Sequence, residues 1–134
     1  MKIVLDASAA IVAAIGKREG DAVLEHLARA SVVLAPDLFV AEVTNALWKY
    51  VAAGEMSLDD ASAALDAALG LIDVTTPVSA FAPEALREAA TLRHPVCDLC
   101  YAIAARREGA SVLTIDKRLM KLLAAMRVPY LKLS

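Results

Sequence analysis

Cysteine is scarce in this sequence. Of 134 residues only Cys97 and Cys100 carry a thiol, three positions apart, which excludes the disulfide framework of a small secreted scaffold and makes reduced thiols the expectation. Long apolar runs are missing as well. The chain is 59% hydrophobic with a mean hydropathy of +0.56, yet polar residues break every apolar stretch well short of the roughly 18 to 20 residues of a membrane span. Met1-Lys2-Ile3-Val4-Leu5-Asp6 has no basic segment, long apolar stretch or small-residue cleavage site of a secretory signal, so a cytoplasmic protein is expected. Basic charge is not in excess. With 14 Lys and Arg against 16 Asp and Glu, a formal net charge of −2 and a pI near 5.6, the chain does not read as a nonspecific nucleic-acid coat. A nuclease is still compatible with that balance, because it concentrates carboxylates around cations and grips the phosphate backbone with a few local bases. Lys17-Arg18, Lys49, Arg106-Arg107 and Lys117-Arg118 are candidates for that grip, and each also reads as a solvated helix end. Linkers, repeats and low-complexity runs are absent, and the length suits a single domain over 1–134.

What is present is an alternation of strand and helix patterns. Lys2 to Leu5 reads as a short apolar strand ending at Asp6, followed by helices over Ala7 to Ile15 and Gly20 to Ala30. Ser31 to Ala35 is a second strand stopped by Pro36, and Asp37 is expected to cap a helix running to about Ala53, where Gly54 ends it. Ser57-Leu58-Asp59-Asp60 has the form of a capping box opening a helix to about Gly70. Leu71 to Thr75 reads as a third strand, with helices over Ser79 to Leu92 and Val96 to Glu108 after it. Ser111 to Ile115 is a fourth strand ending at Asp116; a helix over Lys117 to Met126 leads to an edge strand over Pro129 to Lys132. Such alternation predicts an α/β fold, a mainly parallel sheet with helices on both faces.

Four acids stand where these strands end or these helices begin: Asp6, Glu42, Asp98 and Asp116. In open parallel sheets ligands bind beyond the carboxyl ends of the strands, at the point where the winding reverses. If the first and fourth strands are neighbours, Asp6 and Asp116 share that crevice. Asp98 falls in the first turn after Pro95, and Glu42 shares a helix face with Asn45 and Lys49 at i+3 and i+7. Taken singly, Asp6 and Asp116 read as helix caps and Asp98 as a partner of the helix dipole. Glu42 resists that reading, since it follows Leu38-Phe39-Val40-Ala41 and a buried carboxylate needs a partner. Asp59, Asp60, Asp66, Glu84 and Glu88 fall on exposed-looking faces or caps and are given no role.

Gathering four carboxylates has an electrostatic consequence. Two like charges about 4 Å apart repel by roughly 4 kcal/mol at an effective dielectric near 20, so the acids must protonate or share a cation. An all-oxygen donor set favours Mg²⁺ or Mn²⁺ over zinc. Such an ion lowers the pKa of a coordinated water and steadies charge on a phosphodiester under in-line attack.

Four segments carry a family resemblance in order. Val4-Leu5-Asp6-Ala7-Ser8, Glu42-Val43-Thr44-Asn45-Ala46-Leu47, Cys97-Asp98-Leu99-Cys100-Tyr101-Ala102-Ile103-Ala104 and Leu113-Thr114-Ile115-Asp116-Lys117-Arg118-Leu119 resemble the motifs of PIN-domain ribonucleases. Nearly the whole chain is similar to the VapC toxins of VapBC toxin–antitoxin pairs. The resemblance implies a three-layer α/β/α sandwich with a five-stranded, mainly parallel sheet, Mg²⁺- or Mn²⁺-dependent cleavage of RNA, a homodimer, and a small antitoxin that blocks the site. Carried over by position, Asp6, Glu42, Asp98 and Asp116 match the family's catalytic, metal-holding acids. Ser8, Asn45 and Thr114 match supporting polar positions. A housekeeping PIN nuclease or an exonuclease fits the same motifs. For an inhibitory partner the sequence suggests two means of docking: an Arg or Lys placed among the acids, and an apolar segment on the helices around Phe39 to Trp48 and Leu58 to Leu69.

A different chemistry is suggested by His94-Pro95-Val96-Cys97-Asp98-Leu99-Cys100, which has the spacing of a zinc or redox site. Zinc-dependent nucleobase deaminases also need a His-x-Glu pair, and His26 is followed by Leu27 and Ala28. Neither histidine has an evident nucleophile partner in sequence, so covalent catalysis is not expected.

Overall fold

In the computed structural model, which describes residues 1–133, β1 (Lys2–Leu5), β2 (Val32–Pro36), β3 (Val74–Thr76), β4 (Ser111–Leu113) and β5 (Tyr130–Leu131) form one sheet. Its order is β3-β2-β1-β4-β5 and every pair is parallel. The central strand explains why a continuous apolar run can be a strand. Ile3, Val4 and Leu5 are fully buried although successive side chains point to opposite faces, so both faces of the sheet are covered by helices. Val4 lies in register with Leu34 on one side and Val112 on the other, and both neighbours belong to the buried core.

The helices are α1 (Ala7–Ala14), α2 (Arg18–Ala28), α3 (Leu38–Ala52), α4 (Leu58–Leu69), α5 (Ala82–Leu92), α6 (Val96–Glu108) and α7 (Lys117–Met126). Helix α6 lies against β1, β2 and β4 with α5 and α7 beside it, while α1 packs against α2, α3 and α4. Its residues Asp98 to Ala105 are all buried, which accounts for an apolar sequence with little amphipathic pattern. The described residues contain no helix long and apolar enough to cross a membrane. The result is the three-layer α/β/α arrangement expected from the sequence, with a sheet that is wholly parallel.

Several boundaries differ from the sequence reading, each for a local physical reason. Leu71 and Ile72 do not begin β3: their N–H groups bond back to Ala68 and Leu69, closing α4 with a tight last turn. Asp73 then docks on β2 by donating its N–H to the Val33 carbonyl at 2.8 Å and accepting the Val33 N–H on its carboxylate, also at 2.8 Å. Pro36 does not stop β2 early, because it occupies the last position of that strand, in register with Thr76. Asp37 does not cap α3. Its backbone is helical and its carboxylate accepts the Val78 N–H across the turn at 3.0 Å. The helix expected from Ser79 is divided into a 3-10 turn at Val78–Ala80 and α5, since Pro83 lacks an N–H and belongs in a first helical turn. Ser57 behaves as expected and accepts the Asp60 N–H at 3.0 Å.

Candidate active site

The sheet reverses its winding between β1 and β4, so the crevice lies beyond their carboxyl ends. Asp6 is the first residue past β1. Its N–H donates to the Leu113 carbonyl at 3.2 Å, and its Oδ1 accepts the Ala9 N–H at 3.1 Å as the cap of α1. Two hydroxyls hold the same carboxylate. Ser8 Oγ donates at 2.8 Å to Oδ1 and stands 3.0 Å from Oδ2, while Thr114 Oγ1 donates to Oδ2 at 2.7 Å. Asp6 is only 5% exposed, and burial raises its pKa from the ordinary 3.8 to about 6. The Ala9, Thr114 and Ser8 hydrogen bonds oppose that rise, and the nearby Asp116 charge adds to it.

The segment after β4 is shaped around Asp6. Thr114 and Ile115 were expected to continue the strand, but the ladder ends at Leu113. Thr114 turns its hydroxyl to Asp6 and accepts the Asp116 N–H at 2.9 Å, while the Ile115 N–H donates to Ser8 Oγ at 3.2 Å. Asp116 then caps α7, with Oδ1 accepting the N–H groups of Arg118 at 2.9 Å and Leu119 at 3.4 Å. Capping and membership of the crevice are therefore compatible for both aspartates, because each has a second oxygen outside the cap.

Glu42 comes from the second turn of α3 and is half-buried. The partner its position demanded is the buried Tyr101, whose hydroxyl donates to Glu42 Oε1 at 2.6 Å. Burial is the largest cause raising the Glu42 pKa; the Tyr101 bond opposes it, and Asp98 and Asp116 reinforce it. Asp98 lies in the first turn of α6, where its Oδ2 meets His94 Nε2 at 2.9 Å and Arg118 Nε at 3.0 Å.

Asp6, Glu42, Asp98 and Asp116 line one cavity of about 740 Å³, together with Ser8 and Asn45. Thr114 is fully buried behind Asp6. Among the described residues no three His, Cys, Asp or Glu side chains converge as a ready-made ion shell. The donor chemistry nevertheless fits Mg²⁺ or Mn²⁺, since such ions take one or two carboxylates and complete their coordination with water. Lys17, Lys49 and Tyr50 line the same cavity, with Lys17 Nζ donating to the Tyr50 hydroxyl at 3.2 Å. Arg106 and Arg107 are committed elsewhere: Arg106 pairs with Glu84 at 2.7 Å and Glu88 at 2.9 Å, and Arg107 with Glu84 at 3.3 Å.

Three contacts escaped the sequence reading. His94 lies four residues before Asp98, a helical spacing that could have paired them. Tyr101 and Arg118 reach acids that are 59 and 20 positions away, and no local pattern signals that. The zinc reading loses its histidine to Asp98, and burial pushes the Cys100 thiol up to about 11, away from thiolate chemistry. Cys97 is exposed.

A model of the PIN domain matches residues 3–124, a span that contains all four acids. The chain belongs to the PIN-domain family. Ribonuclease VapC1 of Mycobacterium tuberculosis strain H37Rv is 39% identical over 118 residues, covering 87% of this chain and 86% of that protein. Ribonuclease VapC3 of Pyrobaculum aerophilum is 30% identical over 133 residues, covering 96% of this chain and 100% of the relative. The fold is shared with the crystal structure of PAE2754 from Pyrobaculum aerophilum at a TM-score of 0.68 and 25% identity, over 95% of this chain and 90% of that one. Within the PIN-domain family this chain is therefore similar to VapC-type ribonucleases over nearly its full length.

Proposed function

We propose that this PIN-domain protein is a divalent-metal-dependent endoribonuclease and the toxin of a toxin–antitoxin pair. The observation that carries the reading is the meeting of Asp6, Glu42, Asp98 and Asp116 on one cavity wall at the carboxyl ends of β1 and β4. Similarity to proteins named ribonuclease VapC supports RNA as the substrate and a small antitoxin as the partner. A homodimer belongs to the same reading, as the motif resemblance implies.

The four acids would hold Mg²⁺ or Mn²⁺, which when bound supplies a more acidic water and positive charge to offset a phosphodiester under attack. The remaining parts of the site fix those acids. Ser8 and Thr114 fix both oxygens of Asp6, and Tyr101 fixes one oxygen of Glu42, so neither carboxylate must be ordered when RNA arrives. The caps of α1 and α7 hold the backbone of Asp6 and Asp116 at the crevice. Lys17 and Lys49 line the cavity with the acids and supply cations for phosphates along the strand, and Asn45 supplies a hydrogen-bonding side chain beside Glu42.

The test is cleavage of cellular RNA after brief expression, with cut ends sequenced. Asp6→Asn and Asp98→Asn are each expected to lower metal-dependent cleavage by at least about a hundredfold, a loss of roughly 2.7 kcal/mol in transition-state stabilisation. Wild-type-like cleavage by either folded variant would refute the assignment.

A further inference from the structure

Asp98 differs from the other three acids: among the described residues it alone meets basic side chains, His94 at hydrogen-bond distance and Arg118 in an ion pair. Both groups meet the same oxygen, Oδ2, and Oδ1 has no hydrogen bond from the described residues. Arg118 is tied to two acids at once. Its backbone N–H donates to Asp116 Oδ1 at 2.9 Å, and its side chain returns to Asp98 through Nε at 3.0 Å. That side chain is 63% exposed and engages Asp98 through Nε alone, a single-point contact with an exposed cation. Such a contact is weak and screened by solvent. Arg106, by comparison, is shared between two carboxylates.

The four acids need a counter-charge, and Arg118 supplies one from within the chain. We propose that Arg118 is the resident counter-cation of the acidic site: its guanidinium competes with a divalent ion for Asp98 and must leave that carboxylate for the ion to bind. The inference rests on the metal-dependent reading of the site and adds a regulator of metal affinity to it. Two features suit Arg118 to this role. Its backbone stays anchored in the α7 cap, so releasing the side chain leaves the fold undisturbed. His94 remains on Asp98 Oδ2, so the carboxylate keeps one partner after the guanidinium departs. Lys117 is the neighbouring exposed cation, and it makes no contact with Asp98. A merely electrostatic role would be shared by the two residues; a competitive one belongs to Arg118 alone.

The experiment measures Mn²⁺ binding to the full chain by calorimetry, alongside thermal midpoints in chelator and in Mn²⁺. Arg118→Gln is expected to bind Mn²⁺ about two- to fivefold more tightly, the scale set by losing one exposed ion pair. Its midpoint in chelator should fall while its Mn²⁺-induced rise grows. Arg118→Met should behave alike, separating loss of the cation from any new amide contact with Asp98. Lys117→Gln should stay within about twofold of wild type. Unchanged or weaker Mn²⁺ binding in both Arg118 variants would overturn the inference, as would an equal gain in Lys117→Gln, and the ribonuclease reading would survive either result. No Mn²⁺ binding by the wild-type chain would remove both.

Discussion

Asp6 carries the clearest conflict between a residue and its surroundings. Its carboxylate is buried, held by two hydroxyls and one N–H, and raised by burial to a pKa of about 6 against an ordinary 3.8. A carboxyl raised on folding contributes its full stability below about pH 4, and that contribution is lost as pH rises through 6. The shift corresponds to a loss on the order of 3 kcal/mol. In chelator, Asp6→Asn should therefore be more stable than wild type at pH 7, with the gap closing toward pH 4. Urea denaturation of both proteins across that range measures it, and a gap that does not change with pH would contradict the burial argument. The same residue shows what sequence can and cannot reveal. Its place after an apolar strand was legible, whereas Thr114, 108 positions away, could be joined to it only by motif resemblance until β1 and β4 were seen side by side.

At the scale of elements, the misread boundaries share a cause. Composition marks apolar stretches, but hydrogen-bond partners decide where a ladder ends. Leu71-Ile72 and Thr114-Ile115 both look like strand, and both leave the sheet because another group claims their backbone or side chain. Gly20 is a related case. It reads as a helix start, yet it lies inside α2 where a Cβ would stand 2.4 Å from the Val12 carbonyl oxygen and 2.9 Å from Ala13 Cα. The absence of a side chain is what lets α2 lie against the end of α1. Gly20→Ala is expected to destabilise the protein by roughly 1–3 kcal/mol despite alanine's better helix propensity. Chemical denaturation would show this as a lower midpoint; a midpoint equal to or above wild type would mean that the two helices can separate freely.

Across the whole molecule, the acidic cavity and a separate apolar groove both use α3. Trp48 and Leu58, 61% and 70% exposed, line a groove of about 160 Å³ between α3 and α4. This refines the surface suggested by sequence for a partner: Phe39 belongs to the core, and Tyr50 lines the acidic cavity. Under the toxin reading, an apolar segment of the antitoxin would fill this groove. Leu58→Asp places an acid in the first turn of α4, where the helix dipole tolerates it, so folding and RNA cleavage should be unchanged. Binding of the product of an adjacent small open reading frame should weaken by at least about tenfold, as expected when one interface anchor is lost. Unaltered affinity by calorimetry would move the antitoxin off this face.

The sequence by itself determined the alternation of strands, at Lys2 to Leu5 and about Ser31 to Ala35, with the helices that follow them, because apolar periodicity and glycine or proline punctuation are local properties. It also determined which acids stand at element ends, and hence that Asp6, Glu42, Asp98 and Asp116 were candidates at all. Only the tertiary structure decided their company. The β3-β2-β1-β4-β5 order puts Asp6 beside the segment carrying Asp116, and the packing of α6 against the sheet brings Tyr101 to Glu42. The start of α7 likewise lays Arg118 on Asp98. Burial and charge pairing depend on which chain segments meet, and that is a property of the packed molecule rather than of any window of its sequence.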